Sequence, residues 1–551
     1  MDKQMNYNNK EMRRKKLWNM IVTKVIIITN YSLLITHLIS CSLEEDPRDQ
    51  IPEEEAYTSA TTLFQNTVAT LYAYIGGSED GQGLQGTCRG VYDLQTFGSD
   101  EAMLPTRGGD WYDGGLWQAM FRHSWSAGHD LPKNAWLYLY KVITLCNRSL
   151  EQIDAHHSLL TTYEYQAYTA EVRALRAIYY WYLVDLFGSV PLVTSTDVSM
   201  QEVTQSSRQE VFQFAVDELT EVRSHLASEY SQKPGDYYGR VTYPVATFVL
   251  AKLMLNAEVY SGTPQWQRTI TYCDELTRMG FVLEDDYADN FIVRNENSRE
   301  NIWTIPMDKD LYTTQQQNLY RSYHYRHAAA YGFTAENGSC ATNRVLDIFG
   351  YGTDDVDTRF EQNYWADQVF DLSGNAVLDR IGQPLTYYPR EVALDLSGSP
   401  YVETAGARMK KYEVDKNATK DGKLMDNDIV LFRYADVLLM LAEAKFRLGG
   451  PGYAAGVGGT TAQDDFDTIR NRASVPHREL TLQSLLDERL LELCWEGWRR
   501  QDLIRFGQYE SLFEGDAYNT KTDESDGHTC LYPIPADVMA LNHNLIQNPG
   551  Y

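Results

Sequence analysis

The sequence predicts a mostly α-helical protein, a tetratricopeptide-like scaffold of stacked helix pairs that carries long irregular ligand-binding loops. Three observations predict it. Apolar residues recur at helical spacing in window after window, whereas strand-like alternation is sparse. Many of those windows are long and are joined by short turns, as in arrays of ~34-residue helix pairs, although no clean repeat consensus is present. Two polar stretches, 76–135 and 308–425, interrupt the array. They exceed the ~15 residues of an ordinary connection, and their Trp and Tyr content argues against disorder.

The elements follow in chain order. Lys10, Arg13, Arg14, Lys15 and Lys16 precede Val25 to Ile39, fifteen residues without formal charge. That is the layout of a signal peptide, and it is shorter than the ~20 apolar residues of a spanning helix. Leu38, Ile39, Ser40 and Cys41 resemble a bacterial lipobox, which implies cleavage before Cys41 and acylation of its thiol, with palmitate for example. Residues 1–40 are therefore expected to be a lipoprotein signal peptide and 41–55 a lipidated acidic tether, starting with Glu44, Glu45 and Asp46. That acidic run resembles the export signal that sends some Gram-negative lipoproteins to the cell surface.

Loss of residues 1–40 removes a net +5 from a chain of −27 and leaves −32. A body so acidic repels phosphate backbones, so nucleic acid is excluded as a partner. The six remaining cysteines, at 88, 146, 273, 340, 494 and 530, show no Cys-x-x-Cys spacing. Zinc and redox motifs are thereby excluded, and pairing is left open by an exported compartment.

Leu63, Phe64, Val68, Leu71, Tyr72 and Ile75 form the first apolar stripe, and Trp136, Leu139, Tyr140, Ile143, Cys146, Leu150 and Ile153 the second. Windows 163–187, 207–227, 243–260, 265–279, 433–448 and 481–497 repeat the pattern. The glycines at 449–459 lack a following Gly-Lys-Ser/Thr and read as a linker, not a phosphate loop.

Several segments together resemble the SusD/RagB family of nutrient-binding outer-membrane lipoproteins. They are Glu171–Ala177 with Tyr182–Val184 and Phe187–Leu192, Arg433–Ala444, Ile469–Ala473, the run Glu488, Arg489, Glu492, Glu496, Gly497, Arg499, Asp502, Leu503, Arg505 and Gly507, then Pro533–Pro535 and Gln547–Tyr551. The resemblance runs from Cys41 to the last residue, with 308–425 the exception. It divides the body 56–551 into an N-terminal helical part (about 56–307), a variable loop region (about 308–425) and a C-terminal helical part (about 426–551). It implies a lipid-anchored protein of the outer membrane surface that binds glycan fragments and passes them to a SusC-like TonB-dependent transporter. No bond is made or broken in that role, so the chain is not expected to be an enzyme. The same scaffold binding peptides for uptake is the alternative, and a secreted glycan hydrolase a remote one. No nucleophile elbow and no His-Glu-x-x-His helix are present to support the latter.

Glu488, Glu492 and Glu496 stand at i, i+4 and i+8, which stacks three carboxylates on one helix face, an arrangement that costs energy unless cations answer it. A structural ion-pair network with Arg489, Arg499, Arg433 and Arg176 is expected. For ligand contact, Asp110, Trp111, Tyr112 and Trp117, preceded by Arg107, are the first candidates, because flat rings stack on sugar faces while polar neighbours bond hydroxyls. Tyr320, Tyr323, Tyr325 and Tyr331 are the second set, in the stretch least like the family. His324 and His327 lack an evident third metal ligand. No cofactor is expected; the Asp-rich loops would accommodate structural calcium but carry no EF-hand spacing.

Overall fold

The structure, a computed structural model, describes residues 56–229, 234–312, 314–510 and 526–551 together with Lys16. It divides into two units, Met1–Ala56 and Tyr57–Tyr551. The expected signal peptide, Cys41 and the acidic tether lie outside the described residues. Among the described residues no helix is long and apolar enough to cross a membrane.

The first stripe folds as predicted, through Ala60–Phe64, a π-helical turn Gln65–Ala69 and Thr70–Gly76, with Leu63, Val68, Leu71 and Ile75 buried. Helices α1 (Asp130–Ala155) and α2 (Thr162–Phe187) then form a pair. A Thr161–Glu164 capping box starts α2, satisfying amide donors that the first turn leaves unpaired. From Ala170 to Phe187 α2 is buried on nearly every face, so it is a central element and carries no simple stripe. Helix α3 (Arg208–Val222), opened by a Ser207–Glu210 box, packs on α2. Helix α4 (Tyr243–Leu255) starts with Pro244 in its first turn and packs most extensively on α5 (Trp266–Arg278). In turn α5 contacts α6 (Tyr434–Gly449), and α6 contacts both α7 (Ala462–Arg472) and α8 (Leu482–Leu493). Successive helices thus stack as an array.

Strand β1 (Asn301–Ile305) pairs antiparallel with β2 (Ile429–Arg433), Ile305 lying opposite Ile429. The long excursion between them leaves and rejoins the helical body through this one ladder. Cys146, Cys273, Cys340 and Cys494 are buried free thiols.

The carboxylate stack differs from the prediction. Helix α8 ends at Leu493, Cys494 turns extended and Trp495 takes a left-handed φ of 64°, so Glu496 lies beyond the helix. Of the four cations expected, only Arg433 answers the stack, bonding Glu300 at 2.7 Å, Glu492 at 2.6 Å and Glu496 at 2.8 Å. Arg489 instead pairs with Asp436 and Asp502, Arg499 with Asp100, and Arg176 with Glu218. The other partners are Arg359 for Glu488 and Glu492, Arg470 for Glu488, Arg472 for Glu492 and Lys411 for Glu496. Burial opposes the charge of Glu492, but Arg472, Arg433 and Arg359 hold it well below the usual carboxylate range. The network joins the end of β2, the loop region and two C-terminal helices, and every member except the partly buried Arg472 is buried.

Candidate ligand-binding face

Arg107 and Asp110 close a tight turn with reciprocal backbone bonds of 2.9 and 3.1 Å. The Arg107 side chain points inward, donating to the carbonyls of Gly338, Val402 and Ala405 at 3.2, 3.0 and 2.9 Å. Burial pushes its pKa down to about 9. Arg107 therefore ties three chain segments together and does not face a ligand, contrary to the sequence-based expectation.

Trp111 follows at a left-handed φ of 61°. Its indole donates from Nε1 to the Glu336 carbonyl at 3.0 Å and lies against Gly338, where a Cβ would stand 2.7 Å from Cε2. Only glycine leaves room for that ring. Trp117 sits edge-on to Trp111, centroids 6.3 Å apart, and is 2% exposed. Its Nε1 donates to Asp113 at 2.8 Å, and the guanidinium groups of Arg89 and Arg321 flank the ring at 5.6 and 5.7 Å. The buried Trp117 is accordingly a support for the loop, not a contact surface. Tyr112, between the two, is 54% exposed.

The second tyrosine set divides in the same way. Tyr323 is wholly buried and its hydroxyl accepts from Trp365 Nε1 at 2.6 Å; Tyr320 is buried too, with Lys423 Nζ 4.3 Å above its ring. Both were candidates for ligand contact, and their burial removes them from it. Tyr325 and Tyr331 are half-buried. Tyr325 donates to Asp110 Oδ2 at 2.9 Å, which joins the two candidate segments across more than two hundred residues of chain. Burial, then the Asp110 carboxylate, pushes this phenol up to about 12. Tyr331 donates to the Phe370 carbonyl at 3.3 Å.

Sequence reasoning missed the polar rim. His324 Nε2 lies 3.2 Å from Glu403, whose other oxygen meets Arg380 at 3.0 Å. Burial pushes His324 down to about 4 and His327 to about 3, so both imidazoles are neutral at physiological pH. Glu403 and Arg380 lie in irregular chain where no periodicity marks a partner. Nearby, Tyr388 and Tyr401 pack at 4.6 Å, with Tyr388 exposed. Among the described residues no three His, Cys, Asp or Glu side chains converge as metal ligands. The face can therefore stack a flat apolar surface on Tyr112 and Trp111 while Asp110, Tyr325 and Glu403 bond hydroxyls at its edge.

The chain is similar to several known proteins. A family model described as "SusD family" matches residues 291–551, and one described as "Starch-binding associating with outer membrane" matches 90–255. Starch-binding protein SusD of Bacteroides thetaiotaomicron is 27% identical over 532 residues, covering 87% of this chain and 89% of that one. SusD-like protein P25 of Formosa agariphila is 26% identical over 585 residues, covering 96% and 100%. Among solved structures, a laminarin binding SusD-like protein superposes with a TM-score of 0.69 at 21% identity, covering 90% and 100% of the two chains. Surface glycan-binding protein A from Bacteroides thetaiotaomicron in complex with laminarihexaose gives 0.68 at 20%, covering 89% and 100%. At these identities the solved structures establish a shared fold.

Proposed function

The chain belongs to the SusD-like family, and from that premise we propose that it binds oligosaccharides at the cell surface and hands them to a SusC-like TonB-dependent transporter. A lipid on Cys41 holds it to the outer membrane. The observation that carries the glycan reading is the loop at Asp110–Tyr112, in which one ring is locked by Glu336 and Gly338, its neighbour is exposed, and a Tyr325–Asp110 bond forms the rim. The relatives named for starch and laminarin binding support the same ligand class.

The first test is affinity electrophoresis of the full-length protein through gels containing starch, laminarin and other polysaccharides. One polymer is expected to retard it. Tyr112→Ala should weaken that retardation roughly 3- to 10-fold, the loss of one stacking contact, at an unchanged melting temperature. Equal retardation of the variant and the parent, or none by any polymer, overturns the reading. The anchor is tested separately: Cys41→Ala should move the protein out of the membrane fraction and abolish palmitate labelling, and continued labelling would refute the lipobox.

A further inference from the structure

Two adjoining cavities, about 410 and 490 Å³, lie beside the helix that begins at Ala60, and neither is lined by any residue of the face around Trp111. Both volumes fall in the ~300–1,000 Å³ range of small-molecule sites. The cavities share Phe64, Asp236 and Arg240. Arg240 is a fixed partition, its guanidinium 4.7 Å from the Phe64 ring and 4.8 Å from Tyr237. It donates to both oxygens of Glu171, at 2.9 and 2.5 Å, and to the Asp236 carbonyl at 3.0 Å. Glu171 also accepts from the Tyr72 hydroxyl, which accepts in turn from the Val241 amide at 2.8 Å.

This web orients aromatic rings toward open space. One cavity presents Tyr163, Tyr168 and Tyr237, the other Tyr72, Tyr238 and Tyr312. The Tyr72 and Tyr238 hydroxyls are engaged by Glu171 and Asp428, which fixes their rings. Tyr163 is 69% exposed although nothing in the helical array requires an aromatic there. Glu164 and Asp236 supply acceptors beside the rings. Those carboxylates disfavour an anionic ligand, and the charge of Arg240 is already answered by Glu171.

We infer that this tyrosine-lined cleft is a second saccharide site, taking neutral sugar units against the rings on either side of Arg240. It stands on the cavities alone and does not depend on the face around Trp111. Hydroxyl-radical footprinting of the full-length protein with maltohexaose and with laminarihexaose reads the tyrosines directly. At least one hexasaccharide is expected to shield Tyr163, Tyr237 and Tyr312, and to do so equally in Tyr112→Ala, in which the first face is impaired. In calorimetry, Tyr163→Ala and Tyr312→Ala should each weaken one binding event about 3- to 10-fold, whereas Tyr163→Phe, which keeps the ring, should not. The inference fails if neither sugar shields these tyrosines, if shielding disappears with Tyr112→Ala, or if hexalysine shields them and the sugars do not.

Discussion

Trp111 and Trp117 show how neighbouring residues of one type take different work. The indole N–H of Trp117 reaches Asp113, and two guanidinium groups cover its ring, so nothing of it remains for a ligand. Removing a buried Trp leaves a cavity and costs roughly 3–5 kcal/mol. Trp117→Ala should therefore lower the urea midpoint substantially, whereas Tyr112→Ala, at an exposed site, should stay within about 0.5 kcal/mol of the parent. If Trp117→Ala unfolds at the parent's midpoint, the supporting role is wrong. The run Asp110–Gly115 stood out as a candidate in the sequence because aromatic, acidic and glycine residues are concentrated there. Which ring faces outward was not, since Trp111 and Asp113 take left-handed φ values of 61° and 43° and no periodicity survives such a turn.

At the scale of elements, the helices were the most legible feature. Windows 163–187 and 265–279 correspond to α2 and α5 almost residue for residue, because a capping residue stands where each pattern starts or a glycine where it stops. Window 481–497 overran α8, since Glu496 continues the i, i+4 spacing after the backbone has left the helix. Arg359, Lys411 and Arg472 went unrecognised as partners of the glutamates because long-range ion pairs carry no local signal. The network makes a definite statement about β2 and α8. Arg433, at the end of β2, is shared by Glu300, Glu492 and Glu496, all buried. Arg433→Met strips three carboxylates of a common cation, and breaking a buried pair costs about 3–5 kcal/mol. Chemical denaturation should register a loss of at least that size; a loss below about 1 kcal/mol would show that Arg472 and Lys411 suffice.

For the whole molecule, buried carboxylates of opposite character set the response to pH. Glu492, Asp436 and Glu443 are held below their usual range by arginine and lysine partners despite burial, so their stabilisation is present above the unfolded carboxylate pKa of about 4 and disappears as pH falls. Glu101 and Asp428 behave oppositely. Burial outweighs the bonds each accepts and pushes both up to about 7. Their folded forms hold a proton that the unfolded chain has already released by pH 5, so their contribution is greatest in acid and is lost as pH rises from about 4 through 7. Glu101 accepts from the Trp495 amide and Asp428 from Tyr238 and the Met307 amide, bonds that a carboxamide oxygen also accepts. The double variant Glu101→Gln, Asp428→Asn should therefore melt close to the parent at pH 5 and progressively above it toward pH 8, with the acid limb unchanged. Melting curves taken at half-unit steps decide the matter: a parent–variant difference that stays flat from pH 5 to 8 means that neither carboxyl carries its proton into the neutral range.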